Sequence, residues 1–365
     1  MQVVRLEARA LRCFDEVRFE PGPGLNLITG DNGAGKTSLL EAIHLMAYGR
    51  SFRGRVRDGL IRGGAAALDV FVEWSEGAPG TARHRRAGLR HSGHNWEGRL
   101  DGAALTQLGE LCAALAVVTF EPGSHALVAG ASEGRRRFLD WGLFHVEPDF
   151  MPLWRRYSRA LRQRNALLKM RAGRTGDGEL AAWEHELAES GGPITRHRIA
   201  YLEQLQPHLE ALTRDLAPSL GNASVTYQPG WRRDELTLAD ALLLARDRDL
   251  AVGFTSVGPH RADWRIQHGT VPNREHLSRG QATLAALTCL LAQAAAHAAH
   301  HGEWPVVLLD DLASELDQPH QVRLLEVLRG SGAQVLITGT EPPAALNIPA
   351  TTFHVEHGAL HSPSR

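Results

Sequence analysis

Three groups of residues in this sequence have the types and the spacing for phosphate chemistry. Gly30-Asp-Asn-Gly-Ala-Gly-Lys-Thr37 fits the pattern G-x-x-x-x-G-K-[ST]. In such a loop the glycines let the backbone wrap a phosphate, and successive N–H groups at a helix N-terminus supply positive potential. Gly30, Asp31, Asn32, Gly33, Ala34 and Gly35 would form the cradle, Lys36 would reach the β- and γ-phosphates, and Thr37 would bind Mg²⁺. The second group is Asp310-Asp311, at the end of the apolar run Val306–Leu309. Sheets in α/β proteins place catalytic groups at that edge. Asp310 is expected to hold Mg²⁺ through water, and Asp311 to orient or deprotonate an attacking water; a strand-end cap is the competing reading. The third group is Leu277-Ser-Arg-Gly-Gln281, ahead of an Ala/Leu-rich helix expected over Ala282–Ala299. The Ser278 hydroxyl and nearby backbone N–H groups make an anion site there. A short Ser-x-Gly-Gln string often only caps a helix, but its place shortly before the Asp pair, with Ser314-Glu-Leu-Asp317 directly after that pair, ties the groups together.

Lys36 stands out for another reason. Only two of the 40 basic residues are lysine, Lys36 and Lys169. Arginine is a planar fork and lysine a compact point charge, so the two do not interchange where a phosphate fits a tight loop.

The elements that must position these groups read as α/β. Strands are expected over Met1–Ala8, Val17–Glu20 and Leu25–Thr29, with Pro21-Gly-Pro-Gly24 as turn chemistry. A helix follows, with Leu39, Leu40, Ile43 and Met46 at helical spacing and Gly49 as its stop. Leu68–Trp74 alternates like a strand, and Leu115–Phe120 reads as a buried one. From Glu147 to about Leu216 the pattern is helical, broken at Gly173–Gly178, with further stretches over Glu179–Glu189 and Ile194–Leu216. A short strand is expected near Ser224–Gln228. The last third predicts strands at Pro305–Asp311 and Gln334–Thr338 around a helix over Gln318–Arg329, capped by Asp317 and stopped by Gly330. Strand–helix alternation implies a mostly parallel sheet. Heptads are not sustained, which excludes a long coiled coil.

The bulk numbers set the frame. The chain has 365 residues, 43% hydrophobic and 22% charged, with net charge −1. The length suits two or three domains. No apolar run reaches the ~18–20 residues that cross a bilayer, and the N-terminus shows no secretory pattern, so a cytoplasmic location without membrane contact is expected. Cys13, Cys112 and Cys289 are far apart and read as reduced core thiols.

The order phosphate loop, Ser-x-Gly-Gln, Asp-Asp, Ser-x-Leu-Asp resembles the ABC-type ATPase head. The resemblance implies an α/β head with a mixed sheet flanked by helices, and ATP sandwiched head to tail between two copies. Ser278, Gly280 and Gln281 of one copy would complete the ATP site of the other, and Ser278, Arg279, Gly280, Ser314 and Asp317 would line the dimer interface. Blocks along nearly the whole chain narrow the resemblance to the RecF family: Asp31–Ile43, Gly49-Arg-Ser-Phe-Arg53, Glu133-Gly-Arg-Arg-Arg-Phe-Leu-Asp-Trp141, Gln163-Arg-Asn165, Gly258-Pro-His-Arg-Ala-Asp263 and Leu309–Asp317. That family implies an ATP-dependent, DNA-binding ATPase of recombinational repair. It would dimerise on ATP with Mg²⁺, bind gapped or single/double-strand junction DNA, and work with RecO and RecR to load recombinase. Lys36, Thr37, Asp310 and Ser278 would carry the nucleotide roles. Arg12 resembles an early family arginine near the nucleotide, with an exposed strand-end arginine equally compatible. The implied organisation is a head lobe over residues 1–147, a mainly helical inserted arm over 148–250, and a second head lobe over 251–365.

Two departures from the wider ABC pattern bear on rate. Asp311 stands where transporter heads usually have the longer glutamate, and Gly339-Thr340 follows the strand where many heads have a switch histidine. Fewer groups then position water, which implies slow turnover, with ATP acting as a dimer switch. A transporter subunit is the alternative reading. The long interval from Thr37 to Ser278, filled by an Arg-rich helical region, speaks against it.

For DNA, the stretch Met151–Thr175 carries eight basic residues and no acidic ones. Arg155, Arg156, Arg159 and Arg162 are the candidate phosphate contacts, with Arg164, Lys169, Arg171 and Arg174 in the same run. Arg135–Arg137 and Arg50, Arg53, Arg55 and Arg57 form two further clusters. Solvated helix faces or internal ion pairs are the competing reading of each. His297, His300 and His301 read as a helix C-terminus rather than a metal site. The sequence leaves the role of His260 open.

Overall fold

The computed structural model describes residues 1–53, 59–77, 80, 82–170, 177–271, 277–342 and 349–361. Arg55, Arg57, Arg171 and Arg174 lie outside the described residues. The chain divides into two compact units. One comprises residues 1–125, 211–218 and 278–365, the other 126–210 and 219–277. The inserted unit thus begins well before the expected boundary at 147/148 and ends well after 250/251, for reasons visible in its packing below.

The first unit opens with β1 (Gln2–Leu11), β2 (Phe14–Phe19) and β3 (Leu25–Thr29), then α1 (Lys36–Tyr48). There follow β4 (Leu68–Glu76), β5 (Arg83–His91), β6 (Trp96–Leu100), β7 (Ala103–Ala104), α2 (Leu108–Ala114) and β8 (Val117–Phe120). The inserted unit holds α3 (Ala126–Ala129), α4 (Ser132–Val146), α5 (Phe150–Met170), α6 (Asp177–Leu216) up to residue 210, β9 (Ala223–Gln228), α7 (Leu238–Val252) and β10 (Asp263–His268). The first unit resumes with α8 (Arg279–His301), β11 (Val306–Leu309), α9 (Leu312–Glu315), α10 (Gln318–Ser331), β12 (Val335–Thr338), β13 (Thr351–Glu356) and β14 (Ala359–His361).

The first unit contains two six-stranded sheets. In the order β14-β13-β3-β12-β11-β8, every pairing except β13 with β14 is parallel. Every residue of β3, β11, β12 and β8 is buried. Strands covered on both faces must be apolar throughout, which is why they read as continuous runs. The second sheet, β2-β1-β4-β5-β6-β7, is antiparallel. Its strand β4 alternates buried and half-buried, the signature of one covered face. Helix α1 is buried on nearly all sides, with Leu39, Leu40, Ile43 and Met46 at 0% exposure, and it shares one core with residues of both sheets.

Helix α8 corrects one sequence expectation. Its 23 residues are long and apolar enough to cross a membrane by length and composition, yet 72% of its most apolar window is buried inside the protein. Ala282, Ala285, Leu287 and Leu291 are core residues, and a helix hydrophobic all round is a core helix in such a setting.

Helix α6 runs for 40 residues through Gly191-Gly-Pro193, joining the two helical stretches expected over Glu179–Glu189 and Ile194–Leu216, and carries Pro207 as well. The glycine serves packing rather than a turn: a β-carbon on Gly191 would stand 2.6 Å from Leu238 and 3.0 Å from Tyr157. Helix α4 belongs to the inserted unit because it packs on β10. Arg135 forms a two-point ion pair with Asp263, and the Trp264 indole N–H donates to the Arg135 carbonyl at 2.8 Å. Arg164 sits at 0% exposure, donating to Glu184 at 2.9 Å and to Asp249 at 2.7 Å. Neither arginine is available to DNA, so both leave the basic clusters the sequence suggested. Helix α10 also ends later than expected, at Ser331 with Gly332 left-handed as its stop, while Asp317 caps it as predicted.

Removing one partner of a buried ion pair leaves the other charge uncompensated, typically at about 3–5 kcal/mol. Asp249→Ala is expected to cost the inserted unit stability on that scale, read as a fall in the urea midpoint. A loss within ~0.5 kcal/mol, as at ordinary surface sites, would show that Arg164 does not depend on this carboxylate.

Candidate nucleotide site

Parallel strands deliver their C-terminal ends to one edge of the sheet. β3 runs into the loop Gly30–Lys36, β12 ends at Thr338, and β11 ends at Asp310-Asp311, with β12 lying between the other two. Two glycines make the loop possible. Gly30 has φ 144°, and a β-carbon there would lie 2.1 Å from the Val355 carbonyl oxygen. Gly35 has φ 123°, and its β-carbon would press on Phe14 and Cys13 at 2.7 and 2.8 Å. Helix α1 starts at Lys36 with no side-chain cap, so its first N–H groups remain for an anion. The Lys36 ammonium donates to the carbonyls of Gly30 and Asp31 at 2.7 and 2.8 Å, which bends it back over the loop. Burial lowers its pKa, against the pull of Asp311, Asp310 and Asp31.

Thr37 and Thr338 both donate to the same oxygen of Asp310, at 2.9 and 2.7 Å. Burial pushes the Asp310 carboxyl above its ordinary pKa; the two hydroxyls oppose that, and neighbouring Asp311 adds to it. Asp311 is half-buried and left-handed at φ 51°, with its N–H donating to Thr338 Oγ1 at 2.9 Å. Non-glycine residues held in this conformation gather at functional sites.

Asn32, Gly33, Gly35, Lys36, Thr37, Asp310, Asp311 and Thr338 line a cavity of about 830 Å³ that also takes in Arg12, Arg53 and Glu121, while Gly30, Asp31 and Ala34 are not among the described residues lining it. The arginine is not an exposed strand-end residue: Arg12 makes two hydrogen bonds, 2.7 and 2.9 Å, to Glu41, which is fully buried on α1. Two members escape the sequence pattern. Thr338 and Glu121 each end or follow a buried strand of the same sheet, the position that singled out Asp310, and burial likewise raises the Glu121 pKa.

Ser278 is not among the described residues lining this cavity, nor are Arg279, Gly280, Gln281, Ser314 or Asp317. Ser278, Arg279, Gly280, Ser314 and Asp317 are exposed. Ser278 and Gln281 form a reciprocal capping box on α8, at 2.9 and 3.3 Å. The capping reading of the serine therefore holds: its oxygen accepts the cap bond, which does not use the hydroxyl proton.

Of the basic candidates, Arg155, Arg159 and Arg162 are exposed on α5, and Arg156 is ion-paired with Glu186. Arg136 is half-buried and Arg137 pairs with Glu133. His297 is buried and its pKa falls to about 4, so it sits at the end of α8 as a neutral ring tilted against His301, with ring centres 4.3 Å apart. No metal-binding group of three or more His, Cys, Asp or Glu occurs among the described residues. His260 is structural: its ring nitrogens engage the Tyr157 hydroxyl and the Thr255 carbonyl at 2.6 and 3.0 Å.

A phosphate loop, a strand-end Asp pair and a separate serine-led helix on such a sheet define an ABC-type P-loop ATPase head. A family model described as RecF/RecN/SMC N terminal domain matches residues 2–357. DNA replication and repair protein RecF of Stenotrophomonas maltophilia (strain R551-3) is 63% identical over 363 residues, 99% of each chain. Its counterpart from Thioalkalivibrio sulfidiphilus (strain HL-EbGR7) is 38% identical, over 98% of each. A solved structure of the recombination mediator protein RecF with ATP, in the RecFOR pathway, is similar with a TM-score of 0.88 and 26% identity, covering 100% of this chain and 98% of that one. An Smc head bound to the C-winged helix domain of ScpA shares the fold, with a TM-score of 0.60 and 15% identity over 100% of this chain and 98% of that one. The chain belongs to the RecF family of DNA replication and repair proteins.

Thr338→Val removes one hydrogen bond to ionised Asp310, so its pKa should rise further. The acidic limb of ATP hydrolysis is expected to move to higher pH, and Thr338→Ser should restore it. An unmoved limb in the valine variant would show that this hydroxyl does not support the carboxylate.

Proposed function

We propose that this chain is a cytoplasmic, ATP- and Mg²⁺-dependent DNA-binding protein of recombinational repair that closes as a head-to-tail dimer around ATP. One observation carries the dimer: Lys36, Thr37, Asp310 and Asp311 converge on one cavity, while Ser278 stands exposed outside it. A γ-phosphate held by Lys36 and the loop N–H groups would meet the Ser278 hydroxyl only from a second copy. Gly280 and Gln281 would approach with it, and Arg279, Ser314 and Asp317 would border the contact.

The donor set fits Mg²⁺. This ion takes one or two protein oxygens and leaves the rest of its shell to phosphates and water. The Thr37 hydroxyl and the Asp310 carboxylate, 2.9 Å apart on the cavity wall, are such a pair. Bound there, the ion would neutralise phosphate charge and draw Asp310 to its ionised form. Lys36 orients the phosphates, and Asp311 holds or deprotonates the attacking water. The aspartate's short reach supports slow turnover, with hydrolysis resetting the dimer.

For DNA, exposed Arg155, Arg159 and Arg162 make α5 the phosphate-facing element, giving sequence-independent binding that salt weakens. Gapped or junction DNA as the target, and RecO and RecR as partners in recombinase loading, rest on family membership and on the RecFOR pathway named for the ATP-bound relative.

Sedimentation with ATP and Mg²⁺, with and without gapped DNA, tests the reading. Wild type is expected to dimerise, while Lys36→Met and Ser278→Arg stay monomeric. Dimers that persist unchanged in both variants would remove the sandwich.

A further inference from the structure

Two blocks that nucleotide chemistry leaves unused, Glu133–Trp141 and Gly258–Asp263, meet within the inserted unit. With α5 and α6 they enclose a cavity of about 150 Å³. Its charges do not balance. Arg137 is paired with Glu133. Arg198, 3% exposed, grips both oxygens of Asp140 and donates to the Pro259 carbonyl at 2.7 Å. Arg136 is different: one nitrogen donates to Ser132 and to the Ala262 carbonyl, both at 2.8 Å, and among the described residues no carboxylate lies within ion-pair distance. Burial, then nearby Arg198, lowers its pKa, against the pull of Asp263, Glu133 and Asp140. His260, with a pKa near 4, is neutral and adds no charge.

The wall contributed by α5 is equally specific. Trp154, Ser158 and Leu161 line the cavity at helical spacing, and Trp154 remains 39% exposed. One residue further round, Arg155, Arg159 and Arg162 face solvent. A guanidinium with no direct ion-pair partner among the described residues matches the single charge of a phosphodiester, and an accessible indole face matches an unstacked base. Duplex DNA offers no free base face, so the combination selects single strands.

We propose that this cavity is a single-strand subsite: Arg136 binds one phosphodiester, Trp154 stacks an adjacent base, and Arg155, Arg159 and Arg162 carry the backbone onward. This deepens the DNA-binding reading above and rests on it. A free phosphate or mononucleotide could satisfy the same chemistry, so the test includes both.

The experiment is fluorescence anisotropy of labelled oligothymidylate and of a blunt duplex, on the full-length protein with ATP and Mg²⁺, over a salt series. Trp154→Ala is expected to weaken oligothymidylate binding about tenfold or more, with Trp154→Tyr close to wild type. Arg136→Gln should weaken it and flatten the salt slope by about 0.7, the share of one single-strand phosphate. Duplex affinity should stay unchanged in all three. Equal losses on duplex and single strand would overturn the subsite, as would unchanged oligothymidylate binding in both Trp154→Ala and Arg136→Gln. Displacement of the oligonucleotide by inorganic phosphate or thymidine monophosphate at equal phosphate concentration would assign the cavity to a free anion instead. If Arg136→Gln fails to fold, the two Trp154 variants decide alone. A wild type that binds neither DNA would defeat the DNA reading itself, a different result from a loss of single-strand preference.

Discussion

The hydroxyls of Thr37 and Thr338 converge on one oxygen of Asp310, and this shared acceptor fixes the phosphate loop against the carboxylate pair. Thr37 comes from the first turn of α1, Thr338 from the end of β12, and Asp310 from the end of β11. The three meet only because β3, β12 and β11 are neighbours and run parallel, so that all end at one edge. Their complete burial makes the register costly to disturb, since a slip would expose apolar side chains. The sheet core and the chemistry are thus one constraint seen at two ends of the same strands.

The same geometry bears on the proposal that the ATP site is completed by a second copy. Ser278 begins a helix whose body is core, and the capping box fixes where that helix starts. The serine therefore cannot travel to the loop of its own chain without unmaking the cap and drawing α8 out of the core. In the proposed sandwich a second chain would supply its own serine instead. In the proposed dimer, ATP affinity and dimerisation would be two readings of one free energy, which is what a switch requires.

Local chemistry was legible in the sequence, and long-range pairing was not. The phosphate loop, the Asp pair, the Ser278 cap and the Asp317 cap each lie within a few residues, so their spacing carries their geometry. Arg135 and Arg164 looked like DNA contacts because Asp263, Glu184 and Asp249, their partners, are remote in sequence. The join of α6 at Gly191 was not legible because the side chains that this glycine admits, Leu238 and Tyr157, belong to other helices. Strands β5 and β6 gave little signal: the charged run Arg83-His-Arg-Arg86 opens β5, and only Ala87, Leu89 and His91 turn inward. Thr338 and Glu121 obey the same rule as Asp310, a polar side chain closing a buried strand of this sheet.

The most direct measurement of the central claim is complementation between two disabled chains. A head-to-tail dimer of Lys36→Met with Ser278→Arg has one site carrying both substitutions and one carrying neither. Each variant alone should hydrolyse no ATP above background, and an equimolar mixture should recover hydrolysis at the intact site. If Ser278→Arg alone hydrolyses ATP as wild type does, or if the mixture stays as inactive as its parts, the nucleotide is not shared between two copies.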